Sequence, residues 1–132
     1  MVVLVLIFLV LLLLLFQVFL PGRYLSEQVG SDAQMGPRDD LPEPTRELAR
    51  SRRALENLQE TLPIFLVLAV LSVMLGEEGW LSLLGAGMYF VSRSVHVYCY
   101  MKGLSPWRSF AFLGALIGTL MMAIPLVPHI WN

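Results

Sequence analysis

Apolar residues run from Val2 to Leu20 with Gln17 as the one clearly polar side chain, and the run stops at Pro21-Gly22-Arg23. A helix needs roughly 20 apolar residues to cross a bilayer, so this stretch reads as a membrane span. A cleavable signal peptide fits less well: no basic segment precedes the run, it exceeds the usual length of about 7 to 15 residues, and no small-residue cleavage site follows. Between Tyr24 and Pro44 Gly, Pro, Asp and Ser accumulate, and residues 21–45 are expected to form one long loop. Thr45 is a suitable N-cap for the run of helix formers Arg46 to Glu60, which continues into apolar Thr61 to Leu75 with an expected bend at Pro63. Gly76-Glu77-Glu78-Gly79 reads as a turn. Two further spans follow at about 80–101 and 107–127, joined at Lys102 to Pro106, with Pro106 suited to the first turn of the last helix. The pattern predicts an all-α membrane protein: a single domain over residues 1–132 holding a bundle of four transmembrane helices at about 2–20, 46–76, 80–101 and 107–127.

Composition agrees, with 57% hydrophobic residues, 14% charged residues and a mean hydropathy of +0.71. Four spans leave no length for a separate soluble domain, so any active site must lie between helices. The net charge of -1 conceals an asymmetry. Every Lys and Arg falls in the first or third connection or in helix ends beside them, whereas the second connection carries only Glu77 and Glu78. The positive-inside rule predicts a multi-pass protein with connections one and three cytoplasmic and both termini on the opposite side. A single cysteine, Cys99, excludes an internal disulfide.

That topology brings sequence-distant polar groups to one membrane face. At 100° per residue Arg53, Asn57 and Glu60 fall within about 60° of one another, and Tyr89, Arg93, His96 and Tyr100 likewise share one side of their helix. Arg46 and Arg50 extend the first stripe outward, and Arg108 opens the final helix. Ionisable side chains at membrane depth cost roughly 2.5–3.5 kcal/mol each and are kept where they pair or line a polar cavity. Two readings stay open from these residues alone: structural pairing, as between Arg53 and Glu60, or a ligand site.

The spacing Arg53-x-x-x-Asn57-x-x-Glu60 followed by Pro63, then Arg93-x-x-His96-x-x-x-Tyr100 and Arg108-Ser109, resembles the membrane-associated proteins in eicosanoid and glutathione metabolism, the MAPEG family. The resemblance covers about residues 46 to 125. It implies a homotrimer of four-helix subunits that binds glutathione between neighbours near the cytoplasmic face. It further implies glutathione-binding roles for Arg53, Asn57, Glu60, Arg93, His96 and Tyr100, and a catalytic pair in Arg108, beside the sulfur, and Ser109, a second donor to it. Guanidinium forks suit the two carboxylates of glutathione, and Glu60 suits its amino group. Arg23 stands where the pattern has a first-helix arginine, matched by position alone. Glu56 departs from the pattern, which has a basic residue before its Asn, and the interval from Tyr100 to Arg108 is one residue short. The pattern also has an acidic residue in the first connection, and Asp39 and Asp40 have no secure alignment to it.

The function implied is a glutathione-dependent enzyme of the transferase or peroxidase type, activating the thiolate against a lipophilic small molecule or hydroperoxide that enters from the membrane lipids. A non-catalytic lipid-binding scaffold of the same family is the alternative. A small four-helix drug exporter would carry a carboxylate in its first span, and Val2 to Leu20 has none. His96 and His129 are expected at opposite faces, so no metal site is expected, and no nucleic-acid signature is present. The small-residue face Ala111, Gly114, Ala115 and Gly118 suits close helix packing, including an oligomer interface.

Overall fold

A computed structural model describes residues 1–132, which form five α-helices and a terminal 3-10 helix with no strand. They are α1 (Val2–Val29), α2 (Ser31–Met35), α3 (Arg46–Met74), α4 (Trp80–Lys102) and α5 (Trp107–Ala123), continued by the 3-10 segment Ile124–Trp131. Four of the five are long; the fifth, α2, falls inside the expected loop.

The expected end of the first span at residue 20 is corrected. α1 runs through Pro21 to Val29 and is capped by Gly30 at φ 89, so at 1.5 Å per residue its 28 residues reach about 42 Å. Proline removes one backbone donor, but packing beyond it carries the helix on: Leu25 is buried, and Tyr24 packs on the cluster of Leu20, Ala54 and Val97. The loop is thereby shortened and tied down. The Gln28 side chain donates to Glu43 O at 2.7 Å and accepts from Thr45 N at 3.3 Å.

Thr45 caps α3 as expected, its Oγ1 accepting from Leu48 N at 3.2 Å. α3 is a single element across Pro63 and ends at Met74, two residues before the expected boundary, with Gly76 at φ 71 closing the turn. α4 ends on Gly103 at φ 68, where Leu104 N donates to Cys99 O at 2.8 Å, a left-handed cap that only glycine adopts without strain. Pro125 and Pro128 each remove a helical donor, and the last turns tighten to 3-10 geometry.

α1, α3 and the segment Trp107–Trp131 are long and apolar enough to cross a membrane, which makes this a multi-pass membrane protein. α4 is 23 residues long but lacks that apolarity, because its inner face carries Tyr89, Arg93 and His96, all buried. Its polar side is turned into the bundle. α4 and α5 meet backbone to backbone: a Cβ on Gly118 would stand 2.5 Å from Gly85 O, and one on Gly114 would stand 2.6 Å from Ser92 Oγ. The small-residue face of α5 is therefore used inside the chain, against α4. Close approach of two helices requires such residues, and this contact fixes where Arg108 and Ser109 lie relative to α4.

Candidate functional site

α3 runs toward one end of the bundle and α4 returns from it, so residues near the start of α3, the end of α4 and the start of α5 meet at the opposite end. Arg50, Arg53, Cys99, Tyr100 and Arg108 line a cavity of about 190 Å³ there. A second cavity, of about 480 Å³, is lined by Asn57, His96, Tyr100, Arg108, Ser109, Phe112 and Leu113. Tyr100 and Arg108 border both, so the two cavities lie side by side at this end of the bundle. The larger falls in the range of about 300–1,000 Å³ usual for small-molecule sites.

Tyr100 organises the charges. The Arg108 guanidinium carbon stands 4.9 Å from its ring centroid and that of Arg53 stands 5.9 Å away, both within cation–π range. His96, one turn earlier, has its ring 5.5 Å from that of Tyr100. Arg50 is engaged with the backbone: its Nη1 donates to Met101 O at 3.2 Å, capping α4, and its guanidinium lies where a side chain on Gly103 would go.

No aspartate or glutamate lines either cavity. Nor does any ion pair of the chain include Arg53, Arg93 or Arg108, so the structural pairing of Arg53 with Glu60 is not formed. The cations are held by an aromatic ring and by neutral groups instead. A region with this donor set attracts an anion, and two guanidiniums at one ring suit a ligand with more than one acidic group.

Not every expected site residue joins this region. Arg93 is fully buried behind it and lines neither cavity; its Nη1 donates to Asn57 Oδ1 at 2.8 Å. Tyr89 turns to α3, with its hydroxyl 3.0 Å from Thr61 Oγ1 and its ring stacked on Phe65 at 4.3 Å. Glu60 is exposed and borders neither cavity. Arg23 is exposed on α1, ion-paired with Glu27 at 3.3 Å, and is not brought to the region within one chain. Asp39 and Asp40 border a separate surface hollow with Asp32 and Arg38.

Three residues that line the cavities were not among the expected site residues. Cys99 lies beside the third-helix stripe and is 4% exposed, yet it borders the smaller cavity. Phe112 and Leu113 give the larger cavity an apolar wall, and nothing marks them among the other apolar residues of α5.

The sequence model of one family, the MAPEG family, matches this chain over residues 2–127. Comparison with curated proteins and with solved structures gave no match.

Proposed function

The chain belongs to the MAPEG family, membrane proteins of glutathione and eicosanoid metabolism, and from that premise we propose a glutathione-dependent integral membrane enzyme of the transferase or peroxidase type. Members of the family generally use glutathione. The observation that carries the proposal is the pair Arg53 and Arg108 on Tyr100, cations without a carboxylate partner, of which Arg53 borders the smaller cavity and Arg108 borders both it and the one large enough for a small peptide.

The residues present fit that ligand. Its two carboxylates match guanidinium donors, while Asn57 and His96 add neutral polar contacts in the larger cavity. When bound, glutathione supplies a thiol whose ionised form is a strong nucleophile. Arg108 borders both cavities, and a cation beside a sulfur favours the ionised form; Ser109 adds a hydroxyl donor at the same wall. Phe112 and Leu113 face the same space, and Leu113 is 52% exposed toward the surroundings of the bundle. That opening suits a lipophilic electrophile or hydroperoxide arriving through the bilayer.

The proposed assembly is a homotrimer with the Arg-rich end at the cytoplasmic face. Its support lies on α3, where Glu56, Gln59 and Glu60 stand at the start of the apolar stretch, with Gln59 and Glu60 exposed. Polar side chains at membrane depth face protein or water rather than lipid, so a neighbouring subunit is a suitable cover. In such an assembly Glu60 supplies the carboxylate for the ligand's amino group, and Arg23 reaches the site from the first helix of a neighbour.

Calorimetry of the purified protein in detergent tests the reading. Saturable glutathione binding is expected, accompanied by an ultraviolet thiolate band near neutral pH that disappears in Arg108→Ala. Absence of saturable binding removes the enzyme and leaves the lipid-binding scaffold.

A further inference from the structure

The apolar stretch of α1 presents hydrocarbon to the bilayer and turns its one amide, Gln17, inward. Val3, Ile7, Val10, Leu14, Gln17 and Leu20 succeed one another at intervals of three and four, the seam of a helix packed on its neighbours, and all but Gln17 belong to or pack on apolar clusters. Gln17 is 1% exposed, and neither Oε1 nor Nε2 has a hydrogen-bond partner. A second unsatisfied group is buried in the same bundle: Arg93, fully buried, uses Nη1 on Asn57 and leaves Nε and Nη2 unpartnered.

The division of the core places these groups at one level. One apolar cluster includes Val10 on α1, Leu58 on α3 and Tyr89 on α4; the other is Leu20, Ala54 and Val97 on the same three helices. Between the two clusters stand Gln17 on α1, Asn57 on α3 and Arg93 on α4. Three helices contribute a polar residue at the same interval, and the apolar core is broken there. Their chemistry is complementary: a guanidinium only donates, and an amide oxygen accepts. Buried polar groups without partners are costly enough that native structures satisfy nearly all of them.

We infer that Gln17 is a positioning residue, whose Oε1 accepts from the Nε and Nη2 side of Arg93, directly or through one bridging water, and so holds Nη1 on Asn57. The effect on the site follows at Asn57. Because its Oδ1 is committed to Arg93, the group that Asn57 leaves for the larger cavity is its Nδ2, a pure donor. That position then favours an acceptor on the ligand, such as a carboxylate or peptide oxygen, over a donor. An amide on the first helix, outside both cavities, thereby sets which ligand groups are admitted between α3 and α5.

The inference rests on the proposed function only for the identity of the ligand, and two measurements separate them. In detergent micelles, nitrogen-15 spectra should show the Arg93 Nε–H protected from hydrogen exchange. Protection should fall at least tenfold in Gln17→Leu and persist in Gln17→Glu, which restores an acceptor. Glutathione affinity should weaken about tenfold in Gln17→Leu, yet less than twofold when the same change is made in an Asn57→Ala background. Exchange at Arg93 that ignores Gln17→Leu overturns the inference, as does an equal loss of affinity in both backgrounds. If Gln17→Leu does not fold, Gln17→Glu decides alone, since an unprotected Arg93 Nε–H in that variant is equally fatal. A wild-type protein that does not bind glutathione counts against the proposed function, and the exchange measurement still decides the role of Gln17.

Discussion

The two ends of the bundle both gather charged groups from distant parts of the sequence, and they treat them in opposite ways. At the end formed by the turn between α3 and α4, Glu78 meets the Met1 ammonium at 3.2 Å and Glu77 meets His129 Nε2 at 2.9 Å. At the other end Arg53 and Arg108 converge on Tyr100 without a carboxylate between them. Carboxylates are available nearby, since Glu56 and Glu60 belong to the same helix as Arg53, but neither borders the two cavities. Charges that close on one another within a chain are accounted for by the fold. Cations gathered around a space and left open to an anion are what the proposed ligand accounts for.

This contrast predicts where substitutions register, and the largest effect belongs to the open end. Arg108→Ala should weaken glutathione binding by at least about 2 kcal/mol, roughly thirtyfold, while the melting temperature stays near wild type. A loss of stability in step with the loss of binding would make the two ends alike. Glu60→Gln should cost binding about 1.5–3 kcal/mol if a neighbouring subunit brings the ligand against it, measured by calorimetry on the intact oligomer. Unchanged affinity would return Glu60 to the surface. Gly118→Ala forces apart a Cβ and a carbonyl oxygen placed at 2.5 Å, and thermal denaturation should register about 1–3 kcal/mol of destabilisation. The smallest effect is expected at the closed end. Glu77 and His129 are both partly exposed, so Glu77→Gln should change stability by no more than about 1 kcal/mol and leave glutathione affinity untouched.

Much of this architecture was legible in the residues because a bilayer permits few alternatives. The turn at Gly76 to Gly79, the cap at Thr45 and the polar stripes on α3 and α4 follow from local chemistry and helical period. The continuation of α1 past Pro21 was not, because it depends on Leu25 and Tyr24 finding partners on other helices, which no local rule supplies. For the same reason periodicity placed Arg93 on the correct face of α4 but did not distinguish lining a cavity from standing behind one. That distinction was made by the reach of its side chain to Asn57. Glycines 114 and 118 likewise announced a close contact without naming the partner, and the structure assigns it to α4.

The contact between Gly85 and Gly118 also has a mechanical reading. It is a fulcrum: Arg108 lies ten residues up α5 from Gly118, a lever arm of about 15 Å at 1.5 Å per residue. A tilt of only about 4° at the crossing therefore carries the start of α5 through about 1 Å, a displacement that in a working site can cost about a hundredfold in rate. Two residues without side chains, far from the guanidinium, set the tolerance to which it is held.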